Sequence, residues 1–377
     1  MGEWSQRGRT YLKEIKVDIL NIMFKSALDN SRVFDQIDKK DLYSSISKTS
    51  LQFESGWHEA HFLNLGFEPE KIKNVVYAGM GGSNMAGKII LSLAPFLLKV
   101  PFEIIANYRL PLYVSKNTLV ILSSYSGNTQ EILSCALDAK NRGAKIVSIT
   151  AGGQLEKTAK ENHWPLITLD PALNSSKVPR MGLFLSLGAS LGLIERLNPD
   201  IKEINPKQIA SLIGKTLDPI GKEINLKDNS AKMLAEKYKG QGLIILGANH
   251  LYGVADTVKN FFNESSKTFS LSLSIPDMNH HFLDGLVFPE KLKDNVSFLI
   301  LNSSLYPQVI QRRIELIKEI LLKQRYKLSI IKPESSGPVE QVVESLVFCT
   351  LLSYYLGISN QVDPSTTPWV DYLKNHL

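Results

Sequence analysis

From Asn74 onward the chain alternates short apolar, β-branched runs with longer stretches of helical composition, and no other feature constrains the fold as tightly. VVYAG (75–79), TLVILSS (118–124), AKIVSIT (144–150) and PLITLD (165–170) form a first series, the first three separated by helical stretches. Runs that stay apolar without period-two alternation suit strands buried on both faces, as in a parallel sheet covered by helices on each side. GLIILGA (242–248), TFSLSLS (268–274), NVSFLILNSS (295–304) and YKLSIIKPES (326–335) form a second series, again at helix-length spacing. The Pro- and Lys-bearing stretch RLNPDIKEINPKQ (196–208) separates the two and marks a boundary. The expected architecture is therefore α/β: a helical segment over 1–70, a first αβα unit over 71–205 and a second over 206–377. Trp57, Phe62 and Leu65 are candidates to pack the helical segment onto the first unit. A length of 377 residues fits two cores better than one.

Charge and cysteine content narrow the partners. The formal charge of +6 comes from 43 basic against 37 acidic residues dispersed along the chain, which suits small anionic substrates and neither a nucleic-acid track nor a membrane surface. Cys135 and Cys349 are the only cysteines and lie far apart, so no disulfide framework or cysteine zinc site is expected, and a reducing cytoplasm is the natural compartment. The first twenty residues carry charges and no apolar stretch ending in small residues, unlike a secretory signal; Gln6 weakens a myristoylation reading of Gly2. The apolar runs near 181–194 and 346–358 fall short of the ~18 to 20 residues that span a bilayer and read as buried core helices.

Two loops carry chemistry. VVYAG runs into GMGGSNMAGKII, a glycine-rich turn opening a helix, where backbone N–H groups and the helix dipole attract phosphate. A dinucleotide fingerprint fails at Asn84, where glycine is required, and a Walker A loop fails at Ile89, which follows Gly87-Lys88 where Ser or Thr must hold Mg²⁺. The plain alternative is a turn that merely closes strand to helix. The second loop, LSSYSGNTQEI, supplies hydroxyls from Ser123, Ser124, Ser126 and Thr129, a tight turn at Gly127 and Glu131 in the first helical turn. A helix cap needs one such hydroxyl, and four in seven residues exceed that need. Loops at the carboxyl ends of neighbouring parallel strands are placed to close on one phosphate from two sides.

The segments GMGGS (79–83), SYSGNT (124–129), NESSK (263–267) and NHH (279–281) resemble the sugar isomerase (SIS) domain proteins, specifically the bifunctional phosphoglucose/phosphomannose isomerase family, from about residue 35 onward. The resemblance implies two tandem SIS-type αβα sandwich domains, a homodimer, and reversible aldose–ketose isomerisation of hexose 6-phosphates without metal or cofactor. It implies that Gly81, Gly82, Ser83, Ser124, Ser126 and Thr129 hold the substrate phosphate. Arg180 would stabilise negative charge on the sugar oxygens, Glu264 would act as the base, and His280 would assist ring opening. Thr367 and Lys374, in DPSTTPWVDYLK, fall on the family's threonine and lysine. The chain departs from the family pattern at Thr257 (usually arginine), His281 (commonly Asn), Phe282 (glutamate) and Gly285-Leu286 (Gly-Trp), all around the sugar site.

The chemistry is consistent with this assignment. Moving a proton between C1 and C2 through a cis-enediolate requires a base, a fixed cation for the developing charge and a ring-opening group, and Glu264, Arg180 and His280 are of those types. Each has a plainer reading: Glu264 as a solvated helix-end charge, Arg180 as a surface residue before an apolar helix, His280-His281 with Asp284 as an incomplete metal set. The seven-residue spacing of Thr367 and Lys374 returns to one helix face, with Thr367 at the helix start beside Pro368. The alternative function is a sugar-phosphate-binding regulator that keeps the loops without turnover. A glutamine-dependent amino-sugar synthase is disfavoured because the chain begins Met-Gly-Glu in place of a nucleophilic cysteine.

Overall fold

A computed structural model describes residues 26–198 and 204–376. The N-terminal stretch on which the signal and Gly2 readings bear lies outside the described residues, as does 199–203 of the boundary stretch. The first sheet contains β1 (Asn74–Gly79), β2 (Phe102–Ile105), β3 (Thr118–Ser123), β4 (Lys145–Thr150) and β5 (Leu166–Thr168), all parallel in the order β2-β1-β3-β4-β5. β3 is buried along its whole length, as an uninterrupted apolar run requires. The second sheet contains β6 (Gly242–Ala248), β7 (Ser270–Ile275), β8 (Val296–Leu301) and β9 (Lys327–Ile331), parallel in the order β7-β6-β8-β9. β2 escaped the sequence reading because it is a four-residue edge strand behind Pro101 with a charged residue inside it.

The helices are α1 (Ser31–Ile37), α2 (Leu42–Ser47), α3 (Thr49–His61), α4 (Met85–Leu97), α5 (Gln130–Asn141), α6 (Gly153–Glu161), α7 (Leu183–Leu197), α8 (Pro206–Leu217), α9 (Ser230–Tyr238), α10 (Asn249–Ser265), α11 (Gln308–Lys323), α12 (Pro338–Ser359) and α13 (Pro368–Asn375). The helix-length interval expected between β7 and β8 holds only single turns, at Asp277–His280, Leu283–Val287 and Leu292–Asn295. Pro276, Gly285 and Pro289 interrupt any longer helix there.

α12 corrects the estimate of apolar length. Its 22 residues include an 18-residue window long and apolar enough to cross a membrane, yet 89% of that window is buried inside the protein. It is a core helix, packed on α8, α9 and α10, and α7 plays the same part in the first half. The two halves share one apolar core, in which α4 packs on α10. The helices before β1 fasten onto both halves. Trp57 and Leu65 are buried as expected, whereas Phe62 is exposed. Asp38, itself buried, accepts hydrogen bonds from the Leu42 and Tyr43 amides and from the Tyr354 hydroxyl of α12.

In both sheets the chain starts at an inner strand, builds one way and then crosses to build the other. The reversal points lie between β1 and β3 and between β6 and β8, and ligands of open parallel sheets bind outside the carboxyl ends of the strands at such points. β1 and β3 pair with Gly79 opposite Ser123, so the loops after them leave the sheet side by side.

Candidate active site

The first loop turns at Gly81, whose φ of +51° favours glycine, and passes through a single turn, Gly81–Asn84, into α4. Ser83 ties it to its neighbour: its Oγ accepts the Tyr125 amide at 2.9 Å, and its carbonyl accepts the Ser123 hydroxyl at 3.1 Å. In the second loop Ser124 Oγ lies 2.8 Å from Thr129 Oγ1 and accepts the Gly127 amide at 3.1 Å. Gly127 has φ +68°, and a Cβ there would fall 1.8 Å from the Gly152 carbonyl oxygen, so no other residue fits. Ser126 is exposed and accepts the Asn128 amide. Thr129 stands at the N-cap of α5, yet its side chain makes no capping hydrogen bond. The Ser124 and Thr129 hydroxyls face each other, which a capping role alone does not explain.

Tyr125 carries the connection onward. Its hydroxyl accepts from Asn174 Nδ2 at 3.1 Å, and the same amide nitrogen donates to the Val178 carbonyl at 2.9 Å, ahead of the turn Pro179–Gly182 that presents Arg180. A Cβ on Gly82 would lie 3.5 Å from the Arg180 backbone, which places the first glycine loop against this turn. Arg180 is therefore no surface residue: it is 4% exposed. Its Nε donates to Ser265 Oγ at 3.2 Å, its Nη1 to Glu264 Oε2 at 3.2 Å and its Nη2 to the Pro364 carbonyl. Burial pushes the guanidinium below its ordinary pKa, and the Glu264 carboxylate opposes that shift. Two of its five N–H donors remain for a ligand.

Glu264 sits in the last turn of α10 with its side chain 32% exposed, so the pair is dry on the arginine side and open to ligand and water on the other. Lys267, two residues beyond α10, donates to the carbonyls of Glu264 (2.6 Å), Asp363 (2.8 Å) and Thr366 (2.7 Å). Although the residue is exposed, partial desolvation of its ammonium, with Arg180 nearby, lowers its pKa to about 8 against the opposing pull of Asp363 and Glu264. Thr367 comes next as the N-cap residue of α13, its hydroxyl 3.3 Å from the Asp371 carboxylate, and Lys374 is exposed in the last turn of that helix.

The structure thus gathers the two loops, Arg180, Glu264 and the segment entering Thr367. It leaves His280 apart, exposed in the single turn after the edge strand β7, beside His281, whose ring is 3.5 Å from the Asp277 carboxylate. No group of three or more His, Cys, Asp or Glu residues suited to a metal occurs among the described residues. Lys88 is paired with Asp256 of α10 at 2.7 Å, which removes it from any phosphate-loop role. Ser265, Lys267 and the Asp363–Pro364 carbonyls were not singled out from sequence. Ser265 and Lys267 do lie within NESSK, but carbonyl acceptors carry no residue-type signal.

The reversal point of the second sheet is closed. His250, Ser303, Gln341 and Tyr306 fill it as a buried cluster, with His250 Nε2 3.0 Å from Gln341 Oε1 and Ser303 Oγ donating to the same oxygen at 2.5 Å. At the first sheet's reversal point the two loops instead bring Ser83, Ser124 and Thr129 together.

Fold and site define a protein with two parallel-sheet domains, of which one carries two paired glycine- and hydroxyl-rich loops and the other supplies an acidic residue to a buried arginine across their junction. An SIS domain matches residues 70–171, and the bacterial phospho-glucose isomerase C-terminal SIS domain matches 227–377. The bifunctional phosphoglucose/phosphomannose isomerase of Caldicellulosiruptor bescii is 29% identical over 343 residues, 89% of this chain and 98% of that protein. Its counterpart from Thermoplasma acidophilum is 29% identical over 314 residues, 82% and 92% of the two chains. The C-terminal domain of glucosamine-fructose-6-phosphate aminotransferase from Francisella tularensis shares the fold, with a TM-score of 0.63 over 86% of this chain and 96% of that one at 14% identity. The chain thus carries two SIS-type domains and is similar over most of its length to bifunctional phosphoglucose/phosphomannose isomerases.

Proposed function

We propose that the protein interconverts hexose 6-phosphates, taking glucose 6-phosphate and mannose 6-phosphate reversibly to fructose 6-phosphate. The observation that carries this reading is the Arg180–Glu264 pair, 3.2 Å apart, assembled beside the phosphate loops from two different domains. The amides and hydroxyls of Gly81, Gly82, Ser83, Ser124, Ser126 and Thr129 hold the phosphate and so set the distance from the loops to C1 and C2. Glu264 takes the proton from C2 of the aldose and returns it to C1. Arg180, permanently charged and held by three protein acceptors, stabilises the enediolate oxygens without reorganising. Similarity to the bifunctional isomerases supports the reaction class; the residue roles rest on this geometry and the motif match.

His280 serves ring opening in this reading, and its exposed position away from Glu264 favours a homodimer in which it reaches the partner's site. Thr367 and Lys374 contact the sugar from α13. The two buried free thiols suit a reducing cytoplasm, and the proposed reaction would serve glycolysis and gluconeogenesis there. A coupled assay starting from fructose 6-phosphate and measuring glucose and mannose 6-phosphate tests the function. Binding of fructose 6-phosphate without formation of either aldose would replace the isomerase with a sugar-phosphate-binding regulator.

A further inference from the structure

Lys267 lies just past the last turn of α10 with φ +52°, the left-handed conformation in which glycine commonly ends a helix. A lysine carries a conformational cost at this position that glycine does not. All three of its ammonium donors are taken up by backbone carbonyls: one from the last turn of α10 and two, Asp363 and Thr366, from the segment that enters α13. Arg180 holds the Pro364 carbonyl between them. The Asp363 carboxylate is committed to the Ser365 amide and hydroxyl, so it shapes the segment without binding the ammonium. Two cations thus fasten one short strap over the Arg180–Glu264 pair, and Thr367 is the next residue along it.

We infer that Lys267 is a positioning residue of the isomerase site, whose ammonium fixes the strap Asp363–Thr367 to the C-terminal turn of α10 and so sets where Thr367 stands relative to Glu264. This rests on the proposed isomerase function and adds a residue that touches neither sugar nor phosphate. The groups facing the ammonium are Arg180 from the turn before α7, Glu264 from α10 and Asp363 from the strap. With a pKa of about 8, Lys267 loses its proton, and with it part of its hold on the strap, at mildly alkaline pH. That value lies below the ~10.4 of an unfolded lysine. Between those values the unfolded chain binds more protons, so the contribution of Lys267 to stability rises with pH. Alkaline loss of turnover through this residue is therefore not unfolding.

The test compares the full-length wild type with Lys267→Gly and Lys267→Arg. Glycine is at home at positive φ, so Lys267→Gly should melt close to wild type while kcat falls on the order of 10- to 100-fold, as a displaced contact group implies. Exchange of the Ser365 amide, which donates to the Asp363 carboxylate, should accelerate in that variant and stay slow in Lys267→Arg. The alkaline limb of kcat, near pH 8 in wild type, should move upward in Lys267→Arg. Wild-type kcat and unchanged exchange at the Ser365 amide in Lys267→Gly would reduce Lys267 to a helix terminus and overturn the inference, as would an alkaline limb that Lys267→Arg does not move. If the wild type shows no isomerase turnover, the function falls and the positioning of a catalytic strap falls with it; accelerated exchange in Lys267→Gly would then leave only a structural clamp.

Discussion

Arg180 and Glu264 stand 84 residues apart in the chain and 3.2 Å apart in the fold, joining the turn before α7 to the end of α10 across the two domains. The arginine is buried and the glutamate half-open, an asymmetry that suits a fixed cation beside a carboxylate that must reach a substrate.

Glu264→Gln keeps the shape and one acceptor for Arg180 but removes the base. Turnover should fall by roughly 10²- to 10⁴-fold with the KM for fructose 6-phosphate little changed. Steady-state kinetics decide it, and wild-type kcat in this variant would remove the base assignment.

Arg180→Met should both inactivate and destabilise. Breaking a buried ion pair costs about 3 to 5 kcal/mol; because Glu264 retains contact with water, roughly 2 to 3 kcal/mol is expected here, read from urea denaturation of the two proteins. A loss below about 0.5 kcal/mol would mean that the Arg180 contacts contribute nothing net to folding.

Removing the phosphate-loop hydroxyls should act on affinity more than on stability. Neither Ser126 nor Thr129 caps α5 through its side chain, so Ser126→Ala combined with Thr129→Ala should melt near wild type. Fructose 6-phosphate binding, measured by calorimetry, should weaken by roughly 10-fold or more, the worth of one or two hydrogen bonds to a charged group. Equal affinity would show that these hydroxyls do not touch the phosphate.

Gly127→Ala should destabilise by about 2 kcal/mol or more and weaken the same binding, because both its φ of +68° and the Gly152 carbonyl oppose a side chain. Thermal melts with and without fructose 6-phosphate report both effects.

Acid should loosen the second domain through His250. Burial lowers its pKa below the ordinary 6.5, and its bond to Gln341 opposes that only in part. The unfolded chain therefore takes up a proton first as pH falls, and the stability His250 contributes above pH 6.5 is lost below it, by at most about 1.4 kcal/mol per pH unit. Denaturation curves between pH 7.5 and 5.5 should show this slope reduced in His250→Gln; an identical slope would place the acid sensitivity elsewhere.

The strands of both sheets other than β2, the two loops and the buried character of α7 and α12 were legible in the chain because each depends on residues within a few positions of one another. Buried strands show as unbroken apolar runs, and a tight turn at a strand's carboxyl end shows as glycine and hydroxyls behind such a run. Thr367 at the start of α13 was legible for the same reason, since Pro368 marks a first helical turn. By the same token β2 was missed, being too short and too polar to stand out, and the interval after β7 was misjudged because proline and glycine cut it into single turns.

What the sequence by itself determined, then, was the alternation of strand and helix and the position of the two glycine- and hydroxyl-rich loops, since local sterics and hydrophobic periodicity act over a turn or a strand. Tertiary structure alone decided that Arg180 is buried, that it meets Glu264, that Lys267 closes the Asp363–Thr367 strap over both, and that His250 and Gln341 shut the second crevice. Those outcomes depend on which surfaces two separately wound sheets bury against each other. A buried charge finds its partners by position in space, and neither Arg180 nor Lys267 carries a local signature of the carbonyls that hold it.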